Sequence, residues 1–183
     1  MKIKYQEIGI CGLSCRLCPW YHKDKNKCGG CKSNYRLAVG CPFITCAVKK
    51  KGIEFCWECK DSTSCKKWKK HREYGKIKDS FKCYQTLEAD ISFIIENDLN
   101  KFIKQQKIRE QYLKEMLSEY NEGRSKSYYC IASTVLEINE LKEALEKARE
   151  ETRGMEIKEK AFILHTILDE IAKKKNYNLK LRK

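Results

Sequence analysis

The stretch CGLSCRLCPWY, residues 11–21, decides how the first part of this chain folds. Cys11, Cys15 and Cys18 stand at C-x3-C-x2-C spacing, and no apolar run precedes or follows them. A segment so rich in cysteine and so poor in core-forming residues needs a staple other than hydrophobic burial.

Working outward from it, Cys28-x2-Cys31 (CGGC) and Cys56-x2-Cys59 repeat the two-residue spacing of Cys15-x2-Cys18, and Cys41, Cys46 and Cys65 lie among them. A C-x2-C turn lets two thiolates converge on one ion, and two such hooks build a tetrahedral four-thiolate site. Cys15, Cys18, Cys28 and Cys31 form the simplest first site. Cys46-x9-Cys56-x2-Cys59 repeats the Cys18-x9-Cys28-x2-Cys31 spacing, which points to a second site made of Cys41 or Cys46 with Cys56, Cys59 and Cys65. Cys11 is a spare that can exchange with either set. Thiolate-only sites suit zinc, expected here as two ions, with an iron–sulfur cluster as the alternative.

Disulfides are disfavoured. The chain opens MKIKYQEIGI without a secretory signal peptide, and no apolar stretch approaches the roughly 20 residues that span a bilayer. The expectation is a cytoplasmic protein with no membrane association, its cysteines kept reduced.

Charge divides the chain in two. Residues 1–78 hold 19 Lys and Arg against 6 Asp and Glu, a formal +13, whereas residues 79–183 are nearly neutral at +1. Ten of the twelve cysteines fall in the first part. The sequence therefore reads as a basic, cysteine-rich, metal-stapled module over 1–78, irregular with knuckles and short helices. An all-α segment of about four helices follows over 79–183, packed on the module. Tyr84, Leu87, Ile91 and Ile94 share one helical face. A second helix runs from Phe102 to Tyr120, with Gly123 after it. A third, capped by Ser127, carries Ile131, Val135, Ile138, Leu145 and Ala148. A fourth, beyond Gly154, carries Ile157, Ala161, Leu164, Leu168 and Ile171. The tail NLKLRK is either a short strand or a free basic end.

Two classes of function are expected: a binding or scaffold module with a basic surface, and as the alternative an iron–sulfur redox or metal-handling protein. Lys49, Lys50, Lys51, Lys66, Lys67, Lys69 and Lys70, with Trp68 among them, form a candidate nucleic-acid surface, since cations hold phosphates and rings stack on bases. A zinc ion with four thiolates carries −2, so two sites would lower the +13 to about +9, still positive. The alternative is a solvated lysine-rich surface; candidate partners are nucleic acid or another protein. Cys130, in the first turn of a predicted helix near Arg124 and Lys126, is a candidate reactive thiol, with packing as a small hydrophobe the alternative. Catalysis has little support: there is no P-loop, G-x-G-x-x-G or H-E-x-x-H. A radical S-adenosylmethionine enzyme shares the C-x3-C-x2-C spacing but needs a partial barrel of strands and helices behind it, and here only helices follow.

CGLSCRLCPWY, CGGCKS and CPFITCAVKKKGIEFCWECKDSTSC together resemble the cysteine pattern of the domain of unknown function 3795 family. That pattern is CGL-x-C-x2-C-x2-Y, a later C-x2-C, and C-P-x3-C-A-x3-KGI-x2-C-x2-C-x5-C. The resemblance covers about residues 9 to 68 and departs at Ser64, where the family often has proline. It implies a cysteine-rich, metal-binding module and no particular reaction.

Overall fold

The computed structural model describes residues 3–183. Among them the only regular elements are helices; the one β-type pairing is an isolated bridge between Ile8 and Ser14. The cysteine-rich part holds two short helices, α1 (Asn34–Val39) and α2 (Pro42–Ile44), the latter continuing as a wider turn over Thr45–Lys50. Tight turns over Cys15–Leu17 and Cys56–Glu58 lie between longer irregular runs. Ser33 starts α1 by accepting from the Arg36 amide, and Pro42 sits in the first turn of α2, where its missing N–H costs nothing. The segment then closes on α3 (Lys66–Ile77).

Five helices follow: α4 (Leu87–Glu96), α5 (Leu99–Glu119), α6 (Lys126–Val135), α7 (Ile138–Glu151) and α8 (Ile157–Lys174). The third expected helix is thus two. Leu136 is extended (ψ 153°), and the Glu137 amide donates to the Glu140 side chain at 2.8 Å, starting a new helix there. The α6 carbonyls left over are taken by Arg109, whose Nη1 donates to Ser133 O (3.0 Å) and to Leu136 O. Such a long-range capping bond leaves no trace in hydrophobic spacing, which runs through the break. The tail is neither a strand nor free: Arg182 binds Asp79 and the carbonyls of Gly75 and Lys76, and Leu179 is buried.

The largest apolar group gathers Leu113, Met116, Tyr129, Leu141, Leu145, Leu164 and Leu168 from α5 to α8, and Leu17 of the cysteine loop is part of it. Two smaller groups are shared between the segments. Ile8 and Phe55 pack with Ile94, Phe102 and Ile103; Leu13 and Trp68 pack with Leu87 and Ile91. The cysteine-rich part therefore borrows core from α4 and α5. An ion pair adds to the contact: Arg16 binds the buried Glu110 of α5, which also receives Lys114 at 3.1 Å.

Asp90 on α4 is set against this packing. Burial pushes its carboxyl up to about 6, beyond what the Thr86 hydroxyl (3.0 Å) and nearby Arg109 recover. The raised value means that the folded state prefers the proton. Stability from this group is full below the unfolded value near 4 and is lost as pH rises through about 6. Asp90→Asn is expected to stabilise the protein by about 1–2 kcal/mol at pH 7.5, with the gain vanishing below about pH 4. Denaturant titrations of both proteins across that range check it; a gain independent of pH would refute the assignment.

Candidate metal centre

Nine of the ten cysteines of the basic segment line two cavities. The wider, about 220 Å³, is lined by Cys15, Cys18, Cys28, Cys31 and Cys41, with Tyr21, Arg36, Phe81 and Lys82 among its other walls. Local hydrogen bonds set the hooks. The Cys18 amide donates to Cys15 O at 3.1 Å, the Tyr21 amide to Cys18 O at 2.9 Å, and the Cys28 amide to Trp20 O at 3.0 Å. Gly30 has φ 94°, and a Cβ there would lie 3.1 Å from Gln6 O and 3.6 Å from Cys15 Sγ, so only glycine lets the second hook come this close. The Cys31 amide then points at Cys15 Sγ (3.5 Å).

The narrower cavity, about 40 Å³, is lined by Cys46, Cys56, Cys59 and Cys65, walled by Phe43, Ala47, Ile53 and Trp68. Cys46 comes from the wide turn after α2, Cys56 and Cys59 from the second tight turn, and Cys65 from the residue before α3. The Cys56 amide is anchored by Ile10 O (3.1 Å), which ties this centre to the first cysteine loop. Cys41, an alternative to Cys46 on sequence, lies on the wider cavity. Cys11 lines neither; its Sγ and that of Cys31 both lie within 4 Å of where a Cβ on Gly9 would be, and it packs beside Cys56 and Cys65.

No thiol is in a disulfide. Among the described residues no three His, Cys, Asp or Glu side chains stand close enough together to grip a metal ion as they lie. The donor chemistry still fits a soft metal, because neither lining contains a carboxylate or an imidazole. His22 instead pairs with Arg16 O, and His71 packs among Phe43, Trp68 and Tyr84. Electrostatics mark both centres. Burial, and then the charges of Cys11, Cys65, Cys46 and Cys59, push the Cys56 thiol up to about 12. In the wider centre the hydrogen bond between the Cys15 and Cys31 side chains drives the Cys15 thiol up and the Cys31 thiol down.

Cations at these centres were not legible in the sequence. Lys82, 7% exposed, brings Nζ to 3.3 Å from Cys31 Sγ and 3.7 Å from Cys15 Sγ. Lys51 donates to Cys59 Sγ at 3.0 Å and pairs with Asp61, so this lysine of the expected surface belongs to the narrow centre. Lys32 is fully buried; its Nζ bonds Glu54 (3.1 Å) and Tyr5 O (3.2 Å) and lies 3.6 Å above the Phe55 ring.

Two expected site residues turn out to be core. Trp68 is 3% exposed and packs with Leu13, Leu87 and Ile91, so it offers no stacking ring. In α3 it turns inward between lysines that stay exposed, and Tyr74 (49% exposed) is the accessible ring of that helix. Cys130 is 1% exposed and burial raises its thiol, the opposite of an activated nucleophile. Cys83 is likewise buried and pushed up to about 11. Lys49, Lys50, Lys66, Lys67, Lys69 and Lys70 are all exposed.

Among the described residues no helix is long and apolar enough to cross a membrane. No curated protein and no solved structure matches the chain. Residues 7–70 fit the family described as "Protein of unknown function (DUF3795)", the same family whose cysteine pattern residues 9 to 68 resemble; helices α4 to α8, and Lys82 with them, lie outside the matched residues.

Proposed function

We propose that the chain is a cytoplasmic scaffold in which thiolate-bound metal, zinc at the narrow centre, fixes a basic surface that holds nucleic acid. The observation that supports the metal reading is the distribution of nine unpaired cysteines over two cavities with no carboxylate or imidazole in either lining. Free thiols are what a reducing compartment maintains. Zinc suits the narrow centre because a tetrahedral ion draws four sulfurs to about 2.3 Å and needs no larger space.

The surface reading rests on α3 and the turn before it. Lys67, Lys70 and Tyr74 follow three- and four-residue steps, so two cations and a ring share one exposed stripe. Lys49 and Lys50 add charge from the wide turn after α2. Phosphate neutralisation releases counterions, so affinity for a single-stranded oligonucleotide should fall about 300-fold between 50 and 200 mM salt if six lysines engage. Changing Lys67 and Lys70 to alanine should lower the slope of log affinity against log salt by about 2. Fluorescence anisotropy at several salt concentrations measures both, and binding that ignores salt would sink the proposal.

A further inference from the structure

The two centres differ in the space that their sulfurs enclose. Around Cys46, Cys56, Cys59 and Cys65 there is about 40 Å³; around Cys15, Cys18, Cys28, Cys31 and Cys41 there is about 220 Å³. Four thiolates on one zinc would collapse onto it, leaving no void of that size. A void walled by five sulfurs calls for a group whose own atoms fill it, with ligands held farther apart. Polynuclear iron–sulfur clusters have that form and take cysteine thiolates as their usual ligands. Their inorganic sulfides also accept hydrogen bonds, which zinc does not, and a buried donor is present: Lys82 extends its ammonium into the cavity beside Cys15 and Cys31. Phe81, its neighbour, supplies apolar wall.

Resting on the thiolate–metal reading above, we infer that the wider cavity is an iron–sulfur cluster site. Cys15, Cys18, Cys28 and Cys31 are its ligands, and Lys82 is a positioning residue that donates to the cluster's sulfur. Cys11, which completes the C-x3-C-x2-C spacing, does not line this cavity and is not among the proposed ligands. Lys82 comes from the link between α3 and α4, beyond the residues that match the family, so the helical segment contributes to a centre otherwise built from the cysteine-rich part. An ammonium beside the cluster favours the state with one more electron, so it raises the reduction potential.

The test is anaerobic purification of the full chain, reconstitution with ferrous iron and sulfide, and assay of iron, acid-labile sulfide and zinc. About four iron and four sulfide per chain with one zinc is the expected result. Cys15→Ser and Cys31→Ser should lose iron and keep zinc, and Cys59→Ser should lose zinc and keep iron. Two zinc with no uptake of iron would overturn the cluster and leave the metal-stapled scaffold standing; no bound metal at all would overturn both. In a potentiometric titration Lys82→Met should shift the cluster to a more negative potential, with Lys82→Arg close to wild type. Equal potentials in all three would remove Lys82 from the site.

Discussion

Lys32→Met is expected to cost about 3 kcal/mol or more, among the largest losses available to a single side chain here. The residue is fully buried, and its partner Glu54 keeps only the Lys4 and Tyr5 amides once the ammonium is gone. Burying a charge is costly and the attraction of its partner offsets that cost, so removal of one partner strands the other. The flat approach of Nζ to the Phe55 ring adds a cation–π contact that methionine does not replace in full. Lys32→Met combined with Glu54→Gln should therefore recover roughly half of the loss, because no charge is then left unpaired. Urea titrations of the wild type, the single variant and the pair measure this. A single-variant loss under about 1 kcal/mol would mean that the pair is exposed in solution.

Metal removal should have a still larger effect, confined in an unusual way. Structural zinc can contribute about 10–16 kcal/mol, which matches or exceeds the whole stability of a typical domain. With a chelator that strips both centres, the cysteine-rich part should unfold. Because Ile8, Phe55, Leu13 and Trp68 pack directly on α4 and the start of α5, those helices should loosen with it. Helices α6 to α8 have their own apolar group and should stay folded. Hydrogen exchange resolves this: protection is expected to fall over about residues 8–70 and again over α4, while α7 and α8 stay protected. Uniform loss along the chain, or none, would contradict it.

The cysteine spacing carried much of the candidate site because a two-residue turn fixes geometry locally. Cys15 with Cys18, Cys28 with Cys31, and Cys56 with Cys59 each face one cavity for that reason. Most of the helical face of α8 was legible on the same local grounds: Ala161, Leu164 and Leu168 are buried, whereas Ile157, expected on that face, is exposed. Cations that meet sulfur were not, since Lys82 reaches Cys15 across 67 positions and nothing near it in sequence distinguishes it from the other lysines. Trp68 misled because a run of lysines hides the fact that one of every four residues on a helix turns inward. The break at Leu136 depended on Arg109, a side chain from another helix.

The clasp between Asp79 and Arg182 has a consequence for synthesis. The two residues are 103 positions apart, and Asp79 leaves the ribosome well before its partner is made. Until then the joint between the cysteine-rich part and the helices lacks this clasp and rests on the packing of Ile8, Leu13, Phe55 and Trp68 against α4 and α5. On the thiolate–metal reading, metal capture by the emerging chain can therefore precede the last contact of that joint.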